Sequence, residues 1–457
     1  MLGRYAPHLI ATLSLGLPLI GSHLARMAIG VSDTVMVGWF GVDALAALVI
    51  ATSFVHILFF LGMGFGTAVM GLMATAIARG DETEVRRVTR MALWLSIGFG
   101  LLVMPAMWFS RPVLLGLGQT EIVSQLAQDY LRIAGWGLAA NLVALTLNSY
   151  LAALERTQVV MWVTLAGLPL NIALNWVLIF GNLGAPELGV RGAAIASLIV
   201  QISGAVVLAL YAGWLPMARQ YELFRRFWRP DMQAMGAVFR LGLPIGVTLL
   251  AEGALFVASN VMMGWIGTAQ LAAHGIALQI TAITFMAHLG LSNAATIRVG
   301  QAKGRDDPAA MHDAAIAVIG LSLVIAAVFI AIYLAFAHPL VAVFLDPANP
   351  EAPMIVSLGV SLLMYAALFQ LTDALQVIAV GFLRGVHDTR VPMWIASFSY
   401  WVVGMPVAWG LAFPLGFGPA GLWLGLCAGL SLAAVLLMWR FWSGWARGDW
   451  TRPGTPR

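Results

Sequence analysis

Leu15-Gly16-Leu17-Pro18, Met36-Val37-Gly38-Trp39-Phe40-Gly41 and Leu45-Ala46-Ala47 return later as Leu241-Gly242-Leu243-Pro244, Met262-Met263-Gly264-Trp265-Ile266-Gly267 and Leu271-Ala272-Ala273. All three matches share one offset of 226 residues, without a gap. Further on, Ala78-Arg79-Gly80-Asp81 resembles Ala302-Lys303-Gly304-Arg305. The run from Tyr150-Leu151 to Thr157, with Met161-Trp162, is matched by Phe382-Leu383 to Thr389, with Met393-Trp394. An internal repeat of this length determines the architecture, because each copy must be one structural unit. The chain is therefore read as two homologous halves. They meet at 215–235, the most charged stretch, which holds Arg219, Glu222, Arg225, Arg226, Arg229 and Asp231.

Composition says what each half is made of. Of the 457 residues, 61% are hydrophobic and only 10% are charged, against roughly 25% charged in a soluble domain. A cytosolic globular enzyme cannot cover its surface with so few charges. Apolar runs predict spans at 9–37, 44–70, 88–110, 124–150, 158–181, 188–214, 236–263, 270–298, 312–337, 352–382, 390–413 and 418–443. Each is long enough to cross a bilayer as a helix. The first is too long for a cleaved signal peptide and contains Arg26 and Asp33. The expected fold is an all-α polytopic membrane protein of twelve transmembrane helices in two six-helix lobes. The expected boundaries are 1–214 for the first lobe, 215–235 for a cytoplasmic linker, 236–443 for the second lobe and 444–457 for a cytoplasmic tail. An even number of spans per half gives both halves one orientation, so a pseudo-two-fold axis along the membrane normal relates them. Such a plan favours a transporter whose lobes rock about a cavity.

Charge sets the orientation. Of 24 basic residues, 20 fall at the termini and in the loops that follow even-numbered spans. The exceptions are Arg26, Arg111, Arg132 and Arg191. The positive-inside rule puts both termini in the cytoplasm. The formal net charge of +4 then reads as anchoring at anionic lipid and not as nucleic-acid binding. The single cysteine, Cys427, excludes a disulfide framework and a Cys-based metal cluster. No Walker sequence, no His-Glu-x-x-His and no Gly-x-Ser-x-Gly with plausible partners is present, so no catalytic constellation or cofactor is expected.

Ionisable side chains inside spans cost about 2.5–3.5 kcal/mol each and call for a reason. Asp33, Glu252 and Asp373 lie deep by sequence. An acid held in an apolar bundle binds a proton or a metal cation readily, which is the chemistry of a cation-coupled exporter. Asn171 and Asn175 stand i, i+4 apart and share a helix face, and Ser197 lies on the next span. With Asp33 they make an all-oxygen set suited to Na⁺; hydrogen bonding between helices is the competing reading. Glu252 and Asp373 form a second pair, with Gln279, Gln370 and Gln376 as polar neighbours by sequence. Arg26 occupies the place in the first half that Glu252 occupies in the second. The two could meet in one conformation, or Arg26 could snorkel or line water. Pro18 and Pro244 permit kinks early in the first helix of each half, as a moving hinge or as a static bend. His56, His274 and His288 read as packing or interfacial residues and not as metal ligands, since no two His stand at ligand spacing.

Several of these stretches resemble one family. Gly16-Leu17-Pro18, Val31-Ser32-Asp33-Thr34-Val35-Met36-Val37-Gly38 and Pro169-Leu170-Asn171-Ile172-Ala173-Leu174-Asn175-Trp176 resemble motifs of the multidrug and toxic compound extrusion (MATE) transporters. So do Ala251-Glu252-Gly253-Ala254-Leu255-Phe256, Gly300-Gln301-Ala302-Lys303-Gly304, and Asp373-Ala374-Leu375-Gln376 followed by Gly381-Phe382-Leu383-Arg384-Gly385. The resemblance runs from about 9 to 445, and the pair Glu252 and Asp373 is similar to the NorM-type bacterial branch. It implies a V-shaped pair of lobes in the bacterial inner membrane, exporting organic cations against inward Na⁺ or H⁺ and able to act as a monomer. It implies an N-lobe cation site at Asp33, Asn171, Asn175 and Ser197, where relatives carry Thr in place of Ser197. It implies a C-lobe cation site at Glu252 and Asp373. The aromatic at Phe285 is kept, and Phe369 stands where some relatives have Tyr. The competing functions are a lipid-linked oligosaccharide flippase of the same superfamily, whose anionic cargo would favour a basic cavity, and a polytopic membrane enzyme.

Overall fold

A computed structural model of the chain describes residues 2–214, 221–225, 227–346 and 350–450. Arg219, Arg226, Arg452 and Arg457, and with them parts of the expected linker and tail, lie outside the described residues. The described residues form helices and turns and no strand. Twelve helices are long and apolar enough to span a membrane. In chain order they are α1 (Leu2–Phe40), α2 (Val42–Arg79), α3 (Glu82–Trp108), α4 (Glu121–Ala153), α5 (Thr157–Phe180) and α6 (Val190–Trp214). The second six are α7 (Met232–Ile266), α8 (Thr268–Gly304), α9 (Pro308–Ala342), α10 (Ala352–Gly385), α11 (Arg390–Ala412) and α12 (Gly418–Ala446).

Most helices outrun the apolar spans expected from sequence. α2 continues nine residues past the expected end at 70 and stops at Gly80, whose φ of 72° is left-handed and suits glycine. Hydropathy marks where lipid ends, whereas the caps mark where the helix ends. α3 opens under an Asp81 side chain that accepts from the Glu84 backbone N–H, and α9 opens in the same way under Asp307, as N-caps should.

The chain divides into two compact units, one of 1–20 with 248–457 and the other of 21–247. The expected lobes of 1–214 and 236–443 miss one feature, which is that the opening halves of α1 and α7 each pack in the unit of the other repeat. Glycine crossings explain this. In the 21–247 unit a Cβ on Gly64 of α2 would stand 2.1 Å from the Gly242 carbonyl oxygen and 2.5 Å from the Gly246 nitrogen of α7. In the other unit a Cβ on Gly290 of α8 would stand 2.8 Å from the Ile20 nitrogen of α1, and one on Gly16 would stand 3.1 Å from Leu291. Gly64 and Gly290, Gly16 and Gly242, and Ile20 and Gly246 are all related by the same 226-residue offset. The repeat therefore specifies one backbone-to-backbone crossing twice, in the manner of small-residue contacts between membrane helices. Pro18 and Pro244 lie two and three residues before the points where α1 and α7 pass from one unit to the other.

The described part of the linker is tied to α3 within the 21–247 unit. Arg86 pairs with Glu222 at 3.3 Å, Arg87 pairs with Asp231, Arg90 donates to the Arg225 carbonyl at 3.0 Å, and Trp94 donates to the Phe227 carbonyl at 2.9 Å.

Candidate functional site

Asp33 lies on α1 in the 21–247 unit and is 9% exposed. α5 brings two amides to it. Asn171 Nδ2 donates to Asp33 Oδ1 at 2.9 Å, and Asn175 Nδ2 donates to the same oxygen at 2.6 Å. Asn175 Nδ2 also reaches Asn171 Oδ1 at 3.2 Å. From α6, Ser197 Oγ donates to Asp33 Oδ2 at 2.8 Å. All four residues expected from sequence thus meet at one carboxylate.

Local backbone features place them. The i, i+4 spacing of Asn171 and Asn175 puts both amides on one face of α5, and both are fully buried. α6 is drawn against α5 by Gly192, where a Cβ would fall 2.4 Å from the Leu178 carbonyl oxygen. Leu188 and Gly189 donate backbone bonds to the Leu178 and Ile179 carbonyls at 3.0 and 3.2 Å. The start of α6 is also tied by an Arg191–Asp129 ion pair at 2.8 Å.

The hydrogen bonds describe a carboxylate solvated by the protein. A carboxylate accepts only, and here three side-chain donors face it. One polar atom is left over, since buried Asn175 Oδ1 has no hydrogen-bond partner. A half-turn of that amide exchanges donor for acceptor. Carboxylate, amide oxygen and hydroxyl oxygen are ligands matched to a hard monovalent cation. A proton on Asp33 is accommodated equally, because a carboxylic acid donates one bond while its other oxygen still accepts.

Beside Asp33 lies a cavity of about 630 Å³, within the 21–247 unit. That volume is in the usual range for a small-molecule site, about 300–1,000 Å³. Its wall is largely apolar, with Val55, Phe59, Leu138 and Trp162 among its residues. Its polar residues include Arg26, His56, Asn141, Asn148, Ser197 and Gln201. His56, expected as a packing residue, thus lines the cavity and also stacks on Phe60, with ring centroids 6.1 Å apart. Asn148 and Gln201 were not singled out by sequence reasoning. A signal was available, since Gln201 is i+4 from Ser197 and Asn148 is i+7 from Asn141, each on a shared face.

The other unit holds a second cluster. Asp373 is 2% exposed and Gln376 1%, both on α10. Gln376 Nε2 donates to the Tyr400 hydroxyl at 2.7 Å. Glu252 on α7 lies within electrostatic reach of Asp373, Arg384 and Tyr400. Three buried acceptors there have no hydrogen-bond partner, namely Glu252 Oε1, Asp373 Oδ1 and Gln376 Oε1. Phe369 stacks edge-on against Phe256 and Trp423 at 6.2 and 5.7 Å and carries no oxygen. The phenol comes instead from Tyr400, which sequence reasoning missed. It sits in a π-helical turn, Phe398–Gly404, inside α11; such bulges gather at functional sites. Gln370 is taken up separately, accepting from Thr284 at 2.7 Å. Gln279 and Phe285 are half-buried on α8. Pro18 is buried in α1 of this unit. His274 accepts from Trp423 Nε1 at 3.0 Å and meets Ser259 Oγ at 3.2 Å, and His288 meets Ser322 at 2.9 Å. Both are the packing residues expected.

The MatE family model matches residues 18–177 and 244–409. A Rhizobium meliloti (strain 1021) protein named "Probable multidrug resistance protein NorM" is 46% identical over 434 residues, 95% of this chain and 93% of that protein. A protein of the same name from Agrobacterium fabrum is 43% identical over 439 residues, 96% of this chain and 94% of its own length. Among solved structures, one described as an outward-facing conformation of a multidrug resistance MATE family transporter of the MOP superfamily matches with a TM-score of 0.88. It is 21% identical and covers 98% of this chain and 97% of that one. The eukaryotic MATE transporter AtDTX14 matches with a TM-score of 0.86 at 20% identity, covering 98% of this chain and 99% of that one. At such identities the structures speak for the fold.

Proposed function

The chain belongs to the MatE family, and from that premise we propose that it is a multi-pass antiporter of the bacterial cytoplasmic membrane that exports organic cations in exchange for inward Na⁺ or H⁺. Both termini lie on the cytoplasmic side in this reading, where the basic residues gather. Efflux as such is supported by the NorM relatives, which span nearly the whole chain. The exchange rests on the residues, and one observation carries it: Asp33 is buried beside a largely apolar cavity, with its charge answered only by neutral donors.

The mechanism follows from that charge. With Asp33 ionised, the cavity offers a negative point among greasy and aromatic walls, which suits a lipophilic cation. When H⁺ or Na⁺ arrives at Asp33, the charge is cancelled and the attraction is lost. The two ligands weaken each other by the same factor, as linkage requires. An entering monovalent cation gains about 2.3 kcal/mol from a 100 mV potential. Glu252 and Asp373 supply a second place for the same competition, with Tyr400 and Gln376 as further oxygens.

The test is efflux of a fluorescent organic cation from everted vesicles, with Na⁺ and pH gradients imposed separately. Efflux should follow one of the two gradients, and Asp33→Asn should abolish it at normal expression. Efflux by Asp33→Asn equal to that of the unaltered protein would falsify the proposal.

A further inference from the structure

The outer end of α4 holds a carboxylate that the exchange at Asp33 does not use. Of the acids that stand on the outer face of the 21–247 unit in the orientation proposed above, Asp43, Glu121 and Glu187 are exposed. Asp129 is not, since only 12% of its side chain is exposed. From one turn earlier on α4, Gln125 Nε2 donates to Asp129 Oδ1 at 3.2 Å. From the start of α6, Arg191 Nη2 donates to Asp129 Oδ2 at 2.8 Å. The two ends of that ion pair are unlike, because the Arg191 side chain is 58% exposed. The carboxylate is held by its helix, whereas the guanidinium is the tip of a long arm that can swing into water.

The pair lies at the outer end of the Asp33 cavity. Tyr130, next to Asp129 in sequence, is the first residue of α4 to line that cavity, and it lies within electrostatic reach of Asp33. Ala194 is the first residue of α6 to line it. Arg191 precedes Ala194 by three residues, one turn further out on the same face. Ser197, which donates to Asp33, stands one turn further in. A cation entering between α4 and α6 thus meets Asp129 before it meets Asp33. The other two outer arginines are engaged elsewhere. Arg111 pairs with Glu121, and Arg132 lies over the Trp108 ring at 5.4 Å and donates to the Trp108 carbonyl at 3.2 Å.

We propose that Asp129 is the first station of the incoming coupling cation, and that the Arg191 guanidinium is a cover which that cation displaces. This rests on the reading of Asp33 as the exchange site and adds the route by which the ion reaches it. The guanidinium is a tethered stand-in for a monovalent cation, with the same charge on the same oxygen. When H⁺ or Na⁺ takes the Asp129 oxygens, Arg191 swings into water. A half-turn of the Gln125 amide then exchanges its donor for an oxygen, a ligand suited to Na⁺. Return of the guanidinium expels the ion, inward to Asp33 or back out. Such a station speeds entry and exit alike, so it changes rates and leaves the affinity of Asp33 as it was.

The measurement is efflux of a fluorescent organic cation from right-side-out vesicles, against outer Na⁺ at constant pH and against outer pH without Na⁺. In the series that drives efflux, Asp129→Asn is expected to raise the half-saturating cation concentration several-fold. Arg191→Gln leaves the carboxylate uncovered and is expected to lower it several-fold. Maximal rates should stay within about twofold, and Arg191→Lys should match the unaltered protein. In purified protein, the cation concentration that displaces half of the bound dye should move by less than about twofold in every variant. An ion pair that only ties α4 to α6 is broken alike by both variants, so shifts in the same direction overturn the proposal. Equal shifts in efflux and in displacement overturn it too, since the pair would then act on Asp33 through its field and not as a stop on the way. Arg191 is exposed, so its Gln variant decides the matter even where Asp129→Asn fails to accumulate. A half-saturating concentration unchanged or raised by Arg191→Gln overturns the proposal alone. If neither gradient drives efflux by the unaltered protein, the exchange at Asp33 fails and this inference falls with it. Efflux that is driven, yet indifferent to both variants, removes this inference only.

Discussion

Three donors surround the Asp33 carboxylate, and each can be removed singly. Ser197→Ala deletes the bond to Oδ2, and a hydrogen bond to a charged group contributes about 1.5–3 kcal/mol. That change should strengthen capture of a proton and slow its release, whereas for Na⁺ it removes a ligand oxygen and should weaken capture; either way the maximal efflux rate should fall several-fold at unchanged expression. Ser197→Thr keeps the hydroxyl and should transport normally; a Thr variant as slow as the Ala variant would show that volume, not the hydrogen bond, matters there. In the other cluster Tyr400→Phe leaves Gln376 Nε2 without its acceptor and takes the phenol from two acids. Efflux should fall, while thermal stability in detergent stays within a few degrees. The two clusters were not equally legible. Asp33, Asn171, Asn175 and Ser197 stand out because each is polar where the pattern demands apolar residues. Tyr400 does not, because an aromatic in mid-span reads as apolar packing and a π-helical turn has no sequence signature. Arg26 was visible as a charge, but a cavity between helices cannot be read from one helix at a time.

The prediction that belongs to the helices concerns their crossings. Gly64→Leu must push its side chain into the Gly242 carbonyl, and backbone cannot yield as a side-chain tip can. Overpacking of this kind costs about 1–3 kcal/mol or more, so this variant should lose several degrees of melting temperature or fail to accumulate. Gly98→Ala, on α3 with nothing within 4 Å, is the matched control and should melt at or above the unaltered protein. Equal melting of both variants would remove the crossing from the account. These crossings were half legible. The 226-residue offset marked Gly16 and Gly242 as equivalent, yet a repeat says which residues correspond, not which of them touch. The exchange of the opening halves of α1 and α7 therefore waited on the structure. The linker was read as charged and cytoplasmic, with no hint that it is strapped to α3. There the Arg87 guanidinium, and after it the Ala234 backbone N–H, hold the Asp231 carboxyl down at about 2. A depressed carboxyl stabilises the folded state fully above its ordinary value near 4. That contribution is lost as pH falls from there toward 2. Melting should thus be indifferent to this group between pH 5 and 8 and should decline in acid, and Asp231→Asn should flatten part of the decline. An unaltered acid slope in the variant would place the acid sensitivity elsewhere.

For the whole molecule the decisive property is reciprocity, because an exchanger is defined by the coupling between two ligands and not by either site alone. Twelve spans and two halves were legible from hydropathy and the repeat, since each is summed over many residues and tolerates local error. The coupling ion is not legible in this way. Carboxylate, amide and hydroxyl oxygens serve H⁺ and Na⁺ alike, and the choice between the two turns on differences too small to read from a list of donors. It can be read from binding. If the coupling cation lowers affinity for cargo by a factor, cargo lowers affinity for that cation by the same factor, and tenfold is about 1.4 kcal/mol. Titrating a fluorescent organic cation into the purified protein at several Na⁺ concentrations and constant pH, then at several pH values without Na⁺, should give an apparent affinity that falls in one series only. For proton coupling, adding cargo to the weakly buffered protein should release protons, with their number rising as pH is lowered toward the value at which the acids half-load. For Na⁺ coupling, the same addition should release Na⁺ and leave pH unmoved. Asp33→Asn should abolish the dependence in whichever series shows it, because the exchanged charge is then gone. Cargo affinity independent of both ions would mean that the buried carboxylates bind but do not exchange, and the protein would then be a uniporter.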